Sequence, residues 1–220
     1  MKTMTWILFL SLSLFHGILT GQAQAAGRPG EFDFYVLALS WSPDYCAAQN
    51  DSDPYQCRPG KKLGFVLHGL WPQYDAGYPS DCAGVSLADD VAAQFPTLYP
   101  NPRLAAHEWE KHGTCSGLTP TQYLTLTQEL KTAVAIPSAY RSPAQPLRVT
   151  TSELKQAFIA ANPDLIASAL TVSCSGAGRF LKEIFVCFTP DGEPTACSRE
   201  LRNRASRSCG QPDFLIRNVR

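Results

Sequence analysis

The chain has 220 residues, 45% apolar and 17% charged, a balance that supports a sizeable hydrophobic core and excludes intrinsic disorder. Lys and Arg match Asp and Glu at 19 each. The global basic field that drives tight, sequence-independent nucleic-acid binding is therefore missing, which excludes a chromatin-like binder and leaves room for a transient encounter with a polyanion.

Lys2 precedes the apolar run from Trp6 to Phe15, and Ala23-Gln24-Ala25 has the small-x-small pattern of a signal-peptidase site. The run is shorter than the roughly 20 residues that span a bilayer, so residues 1–25 read as a cleaved export signal ahead of one domain over 26–220. Its loss leaves 195 residues with 18 basic against 19 acidic, a formal charge of −1. No second long apolar run follows, so the exported product is expected to be secreted or periplasmic and free of the membrane.

All eight cysteines, Cys46, Cys57, Cys82, Cys115, Cys174, Cys187, Cys197 and Cys209, lie after the leader. An even number in an exported chain implies up to four disulfides, with on the order of 100 pairings. Two pairs have local arguments: Cys187 and Cys197 flank the turn signal Thr189-Pro190-Asp191-Gly192, and Cys46 and Cys57 enclose a short polar loop. No C-x-x-C pair exists to favour zinc.

Along the chain, Phe32–Trp41 is apolar on both alternating faces, as in a strand buried on both sides, and Leu63–Trp71 reads as a second strand. Ser86 and Asp89 mark a helix start over Leu87–Phe95. Arg103–His112 is helical and stops at Gly113, and Thr119-Pro120-Thr121-Gln122 forms a capping box opening a helix to about Ala135. Pro137–Pro146 is a loop. Thr151 or Ser152 caps a helix ending before Asn162-Pro163, and strands follow near Leu170–Cys174 and Phe180–Phe188. Arg199–Arg207 is the one basic cluster and reads as solvated surface, with contact to phosphate as the alternative. Strands and helices without strict alternation give an α+β fold, helices against a mainly antiparallel sheet, in a single disulfide-stabilised domain.

Of four histidines, His16 leaves with the signal, and the other three fall in two short segments, Phe65–Gln73 and His107–Cys115. On a helix, Glu108, Lys111 and His112 share a face, and His107 pairs with Lys111 at i, i+4, while Trp109 anchors the helix. A zinc-protease helix needs histidines four apart. His107 and His112 are five apart, roughly 140° around the helix, and Lys111 would repel a dication. A cysteine nucleophile is unavailable if Cys115 is oxidised, and no G-x-S-x-G elbow exists. Two imidazoles with a lysine, and neither metal nor cofactor, fit acid-base catalysis on a substrate that carries its own nucleophile, as RNA does in its 2′-hydroxyl.

His68-Gly69-Leu70-Trp71-Pro72 and His107-Glu108-Trp109-x-Lys111-His112-Gly113-Thr114-Cys115 resemble the two active-site segments of the ribonuclease T2 family, secreted, metal-independent endoribonucleases. The resemblance implies His112 as general base on the 2′-hydroxyl and His68 as general acid on the departing 5′-oxygen, leaving a 2′,3′-cyclic phosphate. It implies His107 as phosphate ligand and Glu108 and Lys111 as stabilisers of the pentacoordinate phosphate. Trp71 occupies the base-stacking position and Gln73 stands where the family often has an acid, with Tyr74 and Tyr78 as further stacking candidates. A second base pocket would lie before the helix, near Tyr99–Leu104. The family also suggests disulfides Cys82–Cys115 and Cys174–Cys209. The expected partner is single-stranded RNA, not DNA, met by a monomer; a relative that keeps the fold without turnover is the alternative. Asn50-Asp51-Ser52 is a sequon relevant only to a eukaryotic secretory route.

Overall fold

The computed structural model describes residues 27–220; the leader expected over 1–25 lies outside the described residues. Among the described residues there are six strands and six helices. The strands are β1 (Phe34–Trp41), β2 (Phe65–Gln73), β3 (Leu147–Val149), β4 (Leu170–Ser175), β5 (Phe180–Phe188) and β6 (Phe214–Ile216). The helices are α1 (Ser42–Ala48), α2 (Asp89–Ala92), α3 (Pro102–Lys111), α4 (Pro120–Ala133), α5 (Thr151–Ala161) and α6 (Arg199–Ser208). None is long and apolar enough to cross a membrane.

The strands form one sheet in the order β2-β1-β5-β6-β3, with β4 pairing β5. Every pairing is antiparallel except the short β5–β6 contact, so the fold is the α+β arrangement read from the sequence. The central β1 explains its apolar run. Tyr35, Leu37, Leu39 and Trp41 enter the larger core beneath α3, α4 and α5. Phe34, Val36 and Ala38, on the opposite pleat, join Phe185, Cys187, Cys197 and Leu201 in a smaller cluster under α6. Fully buried leucines such as Leu37, Leu67, Leu70 and Leu181 each contribute about 2 kcal/mol.

Several boundaries differ from the sequence reading. β2 starts at Phe65 and runs on to Gln73, because its pairing with β1 continues to Phe34. The helix expected over Leu87–Phe95 shrinks to α2, with Ala88 at its cap and no side-chain capping bond; Leu87 is instead buried in the core. α5 is capped by Thr150, whose hydroxyl accepts from the Glu153 N–H at 3.1 Å while Glu153 returns a bond to the Thr150 N–H at 2.7 Å. The capping box Thr119/Gln122 is present as read. The loop 137–146 contains a single 3-10 turn, Ser138–Tyr140. The basic tail is helical, with Leu201 and Ala205 buried and its arginines exposed.

Four disulfides bind all eight cysteines: Cys46–Cys57, Cys82–Cys115, Cys174–Cys209 and Cys187–Cys197. The second ties the loop after β2 to the turn after α3. The third and fourth hold the two ends of α6 to β4 and β5.

Candidate active site

Two irregularities in the sheet set the site. Opposite Ala38 and Leu39 of β1 stand Gly69 and Leu67, so His68 is left without a Cα partner. An extra residue in one strand shifts the alternation that follows it. Leu67 and Leu70, three apart, thus both enter the larger core, while His68 and Trp71 come together on the other face, ring centroids 4.9 Å apart. β5 repeats the device. Ser173 opposes Glu183 and Cys174 opposes Leu181, leaving Lys182 unpaired, so Leu181 and Ile184 both point to the core and Glu183 turns toward His68.

Glu183 is 3% exposed. Its Oε1 lies 2.6 Å from His68 Nδ1 and accepts the Ser40 hydroxyl at 2.7 Å; Ser40 is its cross-strand partner on β1. Lys182 Nζ lies 3.6 Å from Oε2. With the Nδ1 proton given to this carboxylate, His68 Nε2 is directed to the cleft, 3.9 Å from Glu108 Oε1. Burial acts to lower the His68 pKa, but the Glu183 hydrogen bond and charge, with Glu108 beyond, outweigh it and raise the pKa above the ordinary histidine value. Burial likewise works against the Glu183 charge, and the imidazolium, the Ser40 hydroxyl and Lys182 overcome it, holding the carboxyl well below its usual range.

The second segment sits on α3. Asn101 accepts the Arg103 N–H at 3.0 Å and Pro102 follows it, a capped start with proline in the first turn. Trp109, 3% exposed, donates to the Val85 carbonyl at 2.8 Å and packs against Tyr123, which fixes the rotation of the helix. Glu108, 1% exposed, then points at β2 and accepts the Trp71 indole N–H at 2.7 Å. Burial pushes the Glu108 carboxyl up to about 7, although His68, the Trp71 N–H and Lys111 pull it down. Gly69 makes this approach possible. A Cβ there would lie 2.0 Å from Glu108 Oε2 and 2.3 Å from Trp71 Nε1.

His112 follows the last helical residue and keeps the helical hydrogen bond from its N–H to the Glu108 carbonyl at 3.0 Å. Its ring lies 5.4 Å from Trp71 and 6.2 Å from Tyr78. Nδ1 is buried without a hydrogen-bond partner, so Nε2 is the nitrogen left to the cleft. Burial first, then the charges of Lys111, His107 and His68, lowers its pKa to about 3. The two imidazoles thus both lie against the Trp71 indole with opposite shifts, one favouring its proton and the other shedding it.

Two cavities meet here. The smaller, about 210 Å³, is lined by His112, Trp71, Gln73, Tyr78, Glu108, Lys111 and Arg204. The larger, about 510 Å³, is lined by Asn101, Leu104, Asp53, Gln56 and Lys182. His68 and His107 line both. All five residues singled out for chemistry therefore share one cleft.

A match to the model of the Ribonuclease T2 family covers residues 32–197, most of the chain. The chain belongs to the ribonuclease T2 family. As a member it is an endoribonuclease. It is 42% identical over 211 residues to a ribonuclease of Aeromonas hydrophila, covering 90% of this chain and 91% of that protein. It is 31% identical over 180 residues to a probable ribonuclease of Haemophilus influenzae, covering 75% of this chain and 61% of that one. Among solved structures, trichomaglin, an S-like ribonuclease, shares the fold with a TM-score of 0.64 at 24% identity, over 76% of this chain and 92% of that one. Ribonuclease MC1 from bitter gourd seeds does so with a TM-score of 0.58 at 23% identity, over 73% and 91%.

Of the T2-like base-binding candidates, Trp71 and Gln73 line the smaller cavity. Gln73 is buried and its amide donates to the Pro72 carbonyl at 2.9 Å. Tyr74 lines neither cavity. β2 ends at Gln73, and a turn in which the Tyr74 N–H bonds the Gly77 carbonyl at 3.1 Å carries Tyr74 away and returns Tyr78 to the cleft. Asn101 and Leu104, from the loosely matched stretch before the helix, line the larger cavity, whereas Tyr99 is buried in the core. Sequence reading missed Glu183 and Ser40, which lie in runs that look like plain strand; Arg204 it held only as part of a basic cluster whose alternative reading was contact with phosphate. Among the described residues no group of three or more His, Cys, Asp or Glu is arranged to hold a metal ion.

Proposed function

We propose that the protein cleaves single-stranded RNA by transesterification, without a metal or cofactor, through the two imidazoles. His112, neutral because it is buried among cations, takes the proton of the 2′-hydroxyl at Nε2. The 2′-oxygen attacks phosphorus, the bond from phosphorus to the 5′-oxygen breaks, and His68 gives its Nε2 proton to that leaving oxygen. The products are a 2′,3′-cyclic phosphate and a 5′-hydroxyl, with one proton accepted and one donated.

Lys111 and His107 lie on the cleft wall where the non-bridging oxygens gain charge. Glu108, locked to Trp71, completes that polar wall at the pentacoordinate stage. Glu183 is a positioning residue: it fixes the His68 tautomer and keeps the ring charged until the leaving oxygen needs its proton. Trp71 offers a π-face to the base of the nucleotide that carries the attacking hydroxyl, and Gln73 offers both a donor and an acceptor. Stacking is tolerant of base identity, which supports little base specificity.

The observation that carries this reading is the pairing of opposed imidazoles in one cleft, His68 on a buried carboxylate and His112 buried without one. Four disulfides support a working place outside the reducing cytoplasm, secreted or periplasmic, after removal of residues 1–25. The domain from residue 26 is expected to act as a monomer. The test is incubation with polyuridylate, polyadenylate and DNA in the presence of a chelator, followed by end-group analysis. Cyclic phosphate ends from both RNAs with intact DNA are expected. Loss of cleavage with chelator, or 5′-phosphate ends, would refute the mechanism.

A further inference from the structure

We propose that Arg204 on α6 forms a phosphate subsite in the cleft, one that takes the backbone phosphate on the 5′ side of the nucleotide whose 2′-hydroxyl attacks. The proposal rests on the ribonuclease reading above and extends it to a segment that the family match, ending at residue 197, does not include.

The placement follows from how α6 is held. Cys197, just before the Ser198 cap, is bonded to Cys187 on β5, and Cys209, at the other end, to Cys174 on β4. Between these ties Leu201 and Ala205 are buried. Leu201 belongs to the same small cluster as Phe185 and Cys187, against which Trp71 packs, so α6 lies on the sheet face that carries the site. Arg204 follows Leu201 by three positions, on the flank of this buried stripe, and its side chain lines the smaller cavity with His112, Trp71, Gln73 and Lys111.

Three other arginines are already engaged. Arg202 donates to the Cys197 carbonyl, Arg217 pairs with Asp44 and Arg148 with Asp213. Among the described residues Arg204 has no ion pair, although Glu200 stands one turn before it. A guanidinium left open against a cleft wall presents a planar fork suited to phosphate oxygens.

The direction of the chain comes from the two cavities. The proposed general base, His112, lines the smaller one, and His68, the proton donor to the leaving oxygen, stands where it meets the larger. The nucleotide with the attacking hydroxyl therefore occupies the smaller cavity and the leaving nucleotide the larger. Because the scissile phosphate sits between them at His68 and His107, the anion that reaches Arg204 is the 5′-phosphate of the first nucleotide.

The test compares uridylyl-uridine carrying a 5′-phosphate with the same dinucleotide carrying a 5′-hydroxyl. For the unmutated protein the phosphorylated form is expected to have a KM about fivefold lower, the size of one partly exposed ion pair. Arg204→Ala and Arg204→Gln should bring that ratio to about one, and Arg204→Lys should keep part of it. Arg199→Ala, roughly 140° around the helix, should leave it unchanged. On polyuridylate, Arg204→Ala should also flatten the dependence of log KM on log salt by about 0.7. A ratio that survives Arg204→Ala and Arg204→Gln, or no preference in the unmutated protein, overturns the subsite while leaving the ribonuclease reading intact. Failure of the unmutated protein to cleave either dinucleotide or polyuridylate overturns both.

Discussion

Replacing Glu183 with glutamine separates what a buried carboxylate does for His68 from what a mere hydrogen-bond acceptor would do. The amide is close in size and can still accept from His68 Nδ1 and Ser40, but it carries no charge. A hydrogen bond to a charged group is worth about 1.5–3 kcal/mol and one between neutral groups about 0.5–1.5, so the imidazolium loses about 1–2 kcal/mol. Its side chain is 37% exposed, and solvent screening favours the lower end. The His68 pKa should therefore fall by about one unit. Because His68 must be protonated to act as the proposed acid, the alkaline limb of kcat/KM against pH should move toward acid by the same amount. Removing a negative charge from the cleft wall should at the same time leave the KM for RNA equal or lower, an outcome that general damage to the site would not give.

Stability should follow the same pair. A raised His68 pKa stabilises the fold fully below the unfolded histidine value of about 6.5 and is lost as pH rises through the folded value. A depressed Glu183 pKa stabilises it above the unfolded carboxyl value of about 4.3 and is lost as pH falls through the folded one. The Tm gap between the parent and Glu183→Gln should thus be widest between about pH 4.5 and 6.5 and should narrow on both sides. An alkaline limb that does not move would refute the assigned role of Glu183.

Further outcomes follow from the same geometry. Gly69→Ala drives a methyl into Glu108 Oε2 and Trp71 Nε1; overpacking and a lost charge-assisted bond together cost about 3 kcal/mol, roughly 10 °C in Tm for a domain of this size, with a fall in kcat. Scanning calorimetry beside a turnover assay checks it, and a parental Tm would contradict the packing described. Trp71→Phe keeps most of the ring and removes the indole N–H, so Glu108 stays buried without its donor. A loss of about 2 kcal/mol by urea denaturation is expected, and an unchanged midpoint would show that the bond carries no weight. With a His112 pKa of about 3, the proposed base stays neutral down to about pH 4 and the acid limb of kcat/KM should begin only below that. Because Lys111 is among the charges that lower it, Lys111→Gln should move that limb to higher pH. A limb centred near 6.5 in the parent enzyme would mean that His112 is not the base or is not buried as described.

The sequence by itself determined a good deal. Periodicity placed β1, β4, β5 and α4 because their patterns report a buried face through nearest neighbours alone, and Thr119-Pro120-Thr121-Gln122 marks a helix start through bonds closed within one turn. The two histidine segments held His68, Trp71, Glu108, Lys111 and His112 in legible form, since spacing on one helix and one strand is a local property. What only the tertiary structure decided depends on contacts between distant positions. Glu183 meets His68 because two strands pair through β1 and each shifts its alternation by one residue, which an apolar strand pattern does not announce. Tyr78 rather than Tyr74 reaches the cleft because the turn between them closes on Gly77. The basic tail could be read as solvated surface or as a phosphate contact, and only two disulfides and Leu201, which lay its helix beside the indole, single out Arg204. Local bonding energies are written in adjacent residues, whereas the charge state of a buried imidazole is written in whatever the fold brings to within 3 Å of it.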